Sequence, residues 1–172
     1  MIKIAILDDY QSVALKMADW SVLADRAEIT VFNDHIAEPK TLIERLLPFD
    51  VVCVMRERTP LPREIIEQLP QLKLIASTGP RNASVDVAAA QGRGIIATNT
   101  GYNSWPTIEL TWALILGSAR HLVQEASAVR DGGWQTAIGA ELHGKVLGVV
   151  GLGNIGHEVA RIGHAFGIGA RT

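Results

Sequence analysis

The chain has 172 residues, 48% of them apolar, and sixteen basic against eighteen acidic side chains give a net charge of −2. That is ample for a core and leaves no charged footprint for nucleic acid or an anionic membrane surface. The length accommodates one ordinary domain, or one small domain and part of another.

The single Cys53 excludes an intramolecular disulfide, and its apolar setting, Val51–Val54, predicts a small buried side chain. This fits a reducing cytoplasm, the expected location. Met1–Leu7 meets Asp8-Asp9 too soon for a signal peptide. The longest apolar stretch, Trp112–Leu116, falls far short of the roughly 20 residues of a membrane span.

Ile2–Asp8 reads as a strand, Ala14–Trp20 as a helix, Glu28–Phe32 as a second strand and Pro39–Leu47 as a second helix. Val51–Met55 is the continuous apolar run of a strand covered on both faces. Leu61–Leu69 reads as a helix with Pro62 in its first turn. Strands at Leu72–Ser77 and Gly94–Thr98 then enclose a helix at Val85–Gln91. This alternation predicts an α/β fold with a flavodoxin-like doubly wound parallel sheet over residues 1–100. Ligands of such sheets sit at the carboxyl ends of the strands. The positions concerned are Asp8-Asp9, Arg56–Thr59 and Thr78–Asn82.

Gly101–Asn103 mark a boundary, and Thr107 opens a long helix predicted to reach about Arg130. Its segment Trp112–Leu116 is apolar around the whole circumference, which predicts burial on more than one side, in the subunit core or at a subunit interface. Asp131-Gly132-Gly133-Trp134 ends it.

Lys145–Val150 is strand-like and runs into Gly151, Gly153 and Gly156, a G-x-G-x-x-G spacing. In a dinucleotide-binding turn the first glycine permits the tight bend. The second lets bare backbone approach a pyrophosphate, and the third lets the helix pack closely. The first helical N–H groups, near Asn154 and Ile155, suit an anion. Glu158–Phe166 puts Val159, Ile162 and Phe166 on one helical face, completing a strand–turn–helix context. The plainer alternative is a glycine-rich connection. The histidines are His35, His121, His143, His157 and His164; only His157 and His164 share a helix, without a third ligand, so no metal site is expected.

Five blocks, Arg56–Pro60, Ser77–Asp86, Glu109–Leu116, Gly132–Trp134 and Leu142–Phe166, occur in an order and separation that resembles one family. It is the NAD-dependent D-isomer-specific 2-hydroxyacid dehydrogenases, including D-3-phosphoglycerate dehydrogenase-like proteins, here in their N-terminal half. The resemblance implies a substrate-binding domain over residues 1–100. Over 101–172 it implies the first strand–turn–helix of a Rossmann NAD-binding domain, with an interface helix at about 107–130. The implied reaction is hydride transfer between NAD(H) and C2 of a small D-2-hydroxy or 2-keto acid, in a homodimer.

Substrate contacts are implied at Arg56, Gly79, Arg81 and Asn82. A guanidinium can grip a carboxylate through two parallel hydrogen bonds; pairing of Arg56 or Arg58 with Glu57 or Asp9 stays open beside this. Cofactor contacts are implied at Thr107, Gly151, Gly153, Asn154, Ile155 and Gly156, with Ile108 replacing a small residue usual beside Thr107. The family's catalytic Arg, Glu and His follow the glycine turn by a long way and match nothing here. The chain is therefore expected to be inactive alone and to bind NAD weakly or not at all. NADP stays open, because the acidic residue that would exclude it falls past Thr172. The alternative is a non-catalytic binding or dimerising remnant of the family. The strand ending at Val150 is expected to lack both flanking strands. It would then borrow partners from a second chain, or the region after about Trp134 would be loose.

Overall fold

The computed structural model describes residues 1–171, which divide into two compact units, Met1–Tyr102 and the residues from Asn103 onward. The first unit is a five-stranded parallel sheet of β1 (Ile2–Ile6), β2 (Ala27–Val31), β3 (Val51–Val54), β4 (Leu74–Ser77) and β5 (Ile96–Asn99). Its order, β2-β1-β3-β4-β5, is the predicted doubly wound arrangement. Register places Ala5 beside Val52, Val52 beside Ile75 and Ile75 beside Ala97, one row across the sheet.

That row faces α1 (Pro39–Leu46), α2 (Arg63–Ile66) and α3 (Val87–Gly92). Leu42 and Leu46, Ile65 and Ile66, and Ala89 and Ala90 all join one core with Ala5, Val52, Val54 and Ile75. The three helices therefore share a face. On the opposite face Val51, Cys53, Leu74 and Ala76 are half-buried and Ile96 is exposed, so β3 is not covered equally on both sides as its apolar run suggested. Burial raises the Cys53 thiol to about 11, which keeps it protonated and unreactive near neutrality.

Two predicted helices are corrected. In place of Ala14–Trp20 the chain makes two 3-10 turns, Ala14–Lys16 and Ser21–Leu23. Asp19 accepts from both the N–H and hydroxyl of Ser21, and such local bonds compete with helix propagation. Helix Leu61–Leu69 contracts to α2, with Pro62 as its N-cap. Leu61 is held in a parallel bridge to Val85, and Leu69 precedes Pro70, a position disfavoured for helix.

The second unit contains α4 (Trp105–Ala119), α5 (Leu122–Arg130), β6 (Val146–Gly148), α6 (Asn154–Ala165) and β7 (Gly169–Arg171). The single helix expected to reach Arg130 is broken at His121, which has φ 54°. There the Ala140 N–H donates to the Ala119 carbonyl at 2.7 Å, taking an acceptor that a continuous helix would use. Nor is α4 buried all round within the chain: Ile108 and Trp112 are enclosed, while Leu110 and Leu114 are exposed.

The expectation of two missing neighbours for β6 is also corrected. β7 pairs with it in parallel, Val146 beside Gly169 and Gly148 beside Arg171, giving one edge a partner within the chain. Of the strand's apolar residues, Leu147 packs against the small core of Ile108, Trp112, Val159 and Ile168, whereas Val146 and Val150 are exposed. Among the described residues, no helix is long and apolar enough to cross a membrane.

Candidate functional site

In the first unit, the carboxyl ends of β3 and β4 bring Arg56, Gly79 and Asn82 together. Beyond β3, the Arg58 N–H closes onto the Met55 carbonyl at 3.3 Å, and inside this turn Arg56 has φ 54°. Beyond β4, the loop 78–82 meets it from the other side. The Arg56 N–H donates to Thr78 Oγ1 at 3.0 Å, and Asn82 Nδ2 donates to the Arg56 carbonyl at 2.6 Å. Gly79 has φ 92°, and a Cβ there would strike the Arg56 guanidinium, so the arginine side chain needs bare backbone at this position.

The guanidinium remains half-exposed, with Glu57 3.9 Å from Nε and the Tyr102 ring 5.7 Å away. So loose an exposed pair contributes little. Arg58 goes to the Asp8 carbonyl instead of Asp9. The Asp9 carboxylate caps the next turn through Val13 and Ala14, whose N–H groups hold it below the usual carboxylate range.

Arg81 is not part of the Arg56 contact; with Asn82 it lines a cleft of ≈ 230 Å³ beside Ser77, Thr98 and Asn99. The Asn82 amide is committed to structure. Nδ2 serves Arg56 and Ser77, and Oδ1 accepts from the N–H and hydroxyl of Ser84. The Gly79 N–H is taken by Thr100 Oγ1 at 2.7 Å, and Pro80 has none. The backbone N–H groups of Arg81 and Asn82 have no acceptor among the described residues.

In the second unit, β6 leads through Val149-Val150 to Gly151 (φ 90°), and Gly153 is the N-cap of α6. A Cβ on Gly156 would run into the Gly151 carbonyl and lie 3.2 Å from Val149 Cγ1. The helix thus rests directly on the turn, the role expected of a third glycine. Gly153 instead faces open space.

The first N–H in α6 to find a carbonyl is that of His157, bonded to Gly153 at 2.9 Å. Those of Asn154, Ile155 and Gly156 have no acceptor among the described residues. Free donors at the positive end of a helix dipole form a site for an anion. A cleft of ≈ 500 Å³ beside Asn154 is lined by Ser104, Leu152, Gly153, Asn154, His157 and Glu158, and a second one, of ≈ 440 Å³, takes in Gly151, Ile155 and Gly156. Glu158 is held by Arg161 at 2.8 Å, which offsets its charge toward an anion.

Thr107 does not line this cleft; it is exposed, and its carbonyl accepts from Thr111 Oγ1. Ile108 is fully buried in the core, so its bulk points inward. Ser104, His157 and Glu158 escaped the sequence reading because only the helix start at Trp105 and the helical turn after Gly153 bring them to one opening. Among the described residues, no group of three His, Cys, Asp or Glu is placed to hold a metal ion.

Residues 112–171 match a family pattern described as D-isomer specific 2-hydroxyacid dehydrogenase, NAD binding domain. The chain is 35% identical over 150 residues to a hydroxypyruvate reductase of Thermotoga maritima, covering 86% of this chain and 48% of the relative. It is also 35% identical over 171 residues to a D-3-phosphoglycerate dehydrogenase of Methanocaldococcus jannaschii, covering 98% of this chain and 31% of that one. The crystal structure of a phosphoglycerate oxidoreductase from Vibrio cholerae superposes with a TM-score of 0.88 at 37% identity, over 99% of this chain and 56% of that one. The chain thus spans half or less of these two relatives, and little more than half of the solved structure.

Proposed function

We propose a function from the premise that the chain belongs to the D-isomer specific 2-hydroxyacid dehydrogenase family. In this reading the first unit holds a small 2-hydroxy or 2-keto acid, and the second holds the pyrophosphate of NAD. The observation that carries it is Gly156 lodged on the Gly151 carbonyl, with the N–H groups of Asn154, Ile155 and Gly156 left free. A side chain at either Gly151 or Gly156 would disturb this cradle, and the open space at Gly153 admits a phosphate.

NAD, when bound, supplies the hydride acceptor or donor. The chain's own residues bind and orient. Arg56 offers a charged fork to the substrate carboxylate, and the Arg81 and Asn82 N–H groups offer further donors. In this reading none of the five histidines takes the family's proton-transfer position, and the 172-residue chain is expected not to turn over a 2-keto acid; oxidation of NADH by the chain with glyoxylate would overturn this.

Titration of the chain with NAD, followed by amide resonances, is expected to shift Gly153–Gly156 with an affinity of about 1 mM, equivalent to about 4 kcal/mol. Shifts elsewhere, or none, would sink the cradle reading.

A second property, self-association, has its own support. Leu110, Leu114, Leu122 and Val123 on α4 and α5 are 59%, 63%, 61% and 81% exposed. Contiguous apolar surface of this kind marks an interface, and a homodimer is the commonest use of one. Leu114→Glu is expected to convert a sedimenting dimer into a monomer with unchanged helix content. A wild-type monomer would refute the dimer.

A further inference from the structure

At the carboxyl ends of β1, β2 and β3 lies a polar cluster centred on Asp8. The residue is 1% exposed and has φ 59°. Its Oδ2 accepts from Thr59 Oγ1 at 2.7 Å, and Oδ1 accepts from the Tyr10 hydroxyl at 3.3 Å. His35 Nδ1 lies 2.9 Å from Oδ1, and Arg58 Nη1 donates to the Asp8 carbonyl at 2.9 Å. The strand order reverses between β1 and β3, where doubly wound sheets keep their crevice.

Two consequences follow from this geometry. A carboxylate only accepts hydrogen bonds, so the His35 nitrogen facing it carries the proton and Nε2 is the acceptor of the neutral ring. More importantly, Arg58 and Thr59, which follow the Arg56 turn, both end on Asp8, while Thr78 and Asn82 hold Arg56 from the other side. Asp8 and Arg56 are both non-glycine residues in the left-handed region. Such backbone persists only where its surroundings over-determine it.

We propose that Asp8 is the positioning residue of the Arg56 turn. It clamps Thr59 and Arg58, and it fixes His35 as the Nδ1–H tautomer. The clamp is a statement about the turn; its value for ligand binding rests on the reading of Arg56 as a substrate contact. No element of the cluster is adjacent in sequence to the loop 78–82, so the turn is held by two independent anchors.

Asp8→Asn tests it, because asparagine tolerates a left-handed backbone and keeps the side chain's size. One acceptor oxygen becomes an N–H donor, so either the Thr59 hydroxyl or the His35 N–H loses the acceptor it now has. Nuclear magnetic resonance of the 172-residue chain, at a pH where His35 is neutral, reads three things. These are the His35 tautomer, the Arg56 and Thr59 amide positions, and the affinity for glyoxylate as a probe 2-keto acid.

Wild-type chain is expected to show Nδ1–H. Asp8→Asn should lose either that tautomer or the hydrogen bond that the Thr59 hydroxyl donates, move both amides and weaken glyoxylate on the order of tenfold. Thr59→Val, which removes one anchor and keeps the carboxylate, should move the Arg56 amide and leave the tautomer unchanged. Nε2–H in the wild type would overturn the proposal. So would Arg56 amide positions unmoved by both substitutions while only the urea midpoint falls. If the tautomer and amide shifts appear but glyoxylate never binds, the clamp stands and the substrate reading of Arg56 fails.

Discussion

Gly156→Ala is expected to destabilise the second unit by about 1–3 kcal/mol and to abolish the NAD-induced shifts at Gly153–Gly156. Helix propensity alone points the other way. Alanine in place of glycine inside a helix is worth about 1 kcal/mol of stabilisation. The opposing effect is larger because the new Cβ meets the Gly151 carbonyl, a backbone atom that no rotamer change can move. Relief requires lifting α6 from the turn, which also takes the free N–H groups out of position.

Gly163, in the same helix, supplies the contrast. A Cβ there finds Trp112 and Leu147 at 3.5–3.6 Å, ordinary van der Waals contact. Gly163→Ala is therefore expected to be stabilising by up to about 1 kcal/mol, with NAD shifts intact. Urea denaturation of both variants decides the matter. Equal effects at positions 156 and 163 would mean that propensity, and not the close approach, governs the helix.

Trp112→Ala is expected to cost about 3–5 kcal/mol. The indole is 6% exposed, stacks on Phe166 at 4.9 Å between centroids and lies against Gly163. Among the described residues, the buried apolar cluster it joins in the second unit adds Ile108, Val159 and Ile168. A loss of that size rivals the whole stability of a small domain, roughly 5 kcal/mol at the low end. Hydrogen exchange should show α4 and α6 losing protection while the five-stranded sheet keeps its own. Trp112→Phe should be much milder. The indole N–H is buried without an acceptor among the described residues, and removing such a donor offsets lost contact by about 1–3 kcal/mol. An unchanged unfolding midpoint for Trp112→Ala would refute this account of the core.

The site was legible in the sequence where its logic is local. Gly151, Gly153 and Gly156 lie within six residues, and their spacing stated the turn, the open approach and the helix contact that the structure displays separately. The contacts made by Arg56, Gly79, Arg81 and Asn82, the residues proposed to meet substrate, were not legible in the sequence. Nothing in Gly79–Asn82 announced that Thr100 would occupy the Gly79 N–H, or that Asn82 would spend its amide on Arg56, Ser77 and Ser84. Thr107 was placed beside the cofactor by resemblance, while Ser104, one helical turn earlier, lines the cleft.

Sequence by itself determined the parallel five-stranded sheet and the strand–turn–helix of the second unit. Apolar runs, their spacing and the glycine pattern are short-range signals that repeat at the period of each element. Tertiary structure alone decided the rest. Asp8, His35 and Thr59 meet only because β2, β1 and β3 stand side by side. The helix breaks at His121 where Ala140 bonds its last turn, and the short strand at Gly169–Arg171 exists by pairing with Val146–Gly148. In each case the energy comes from a partner distant in the chain, which no local pattern encodes.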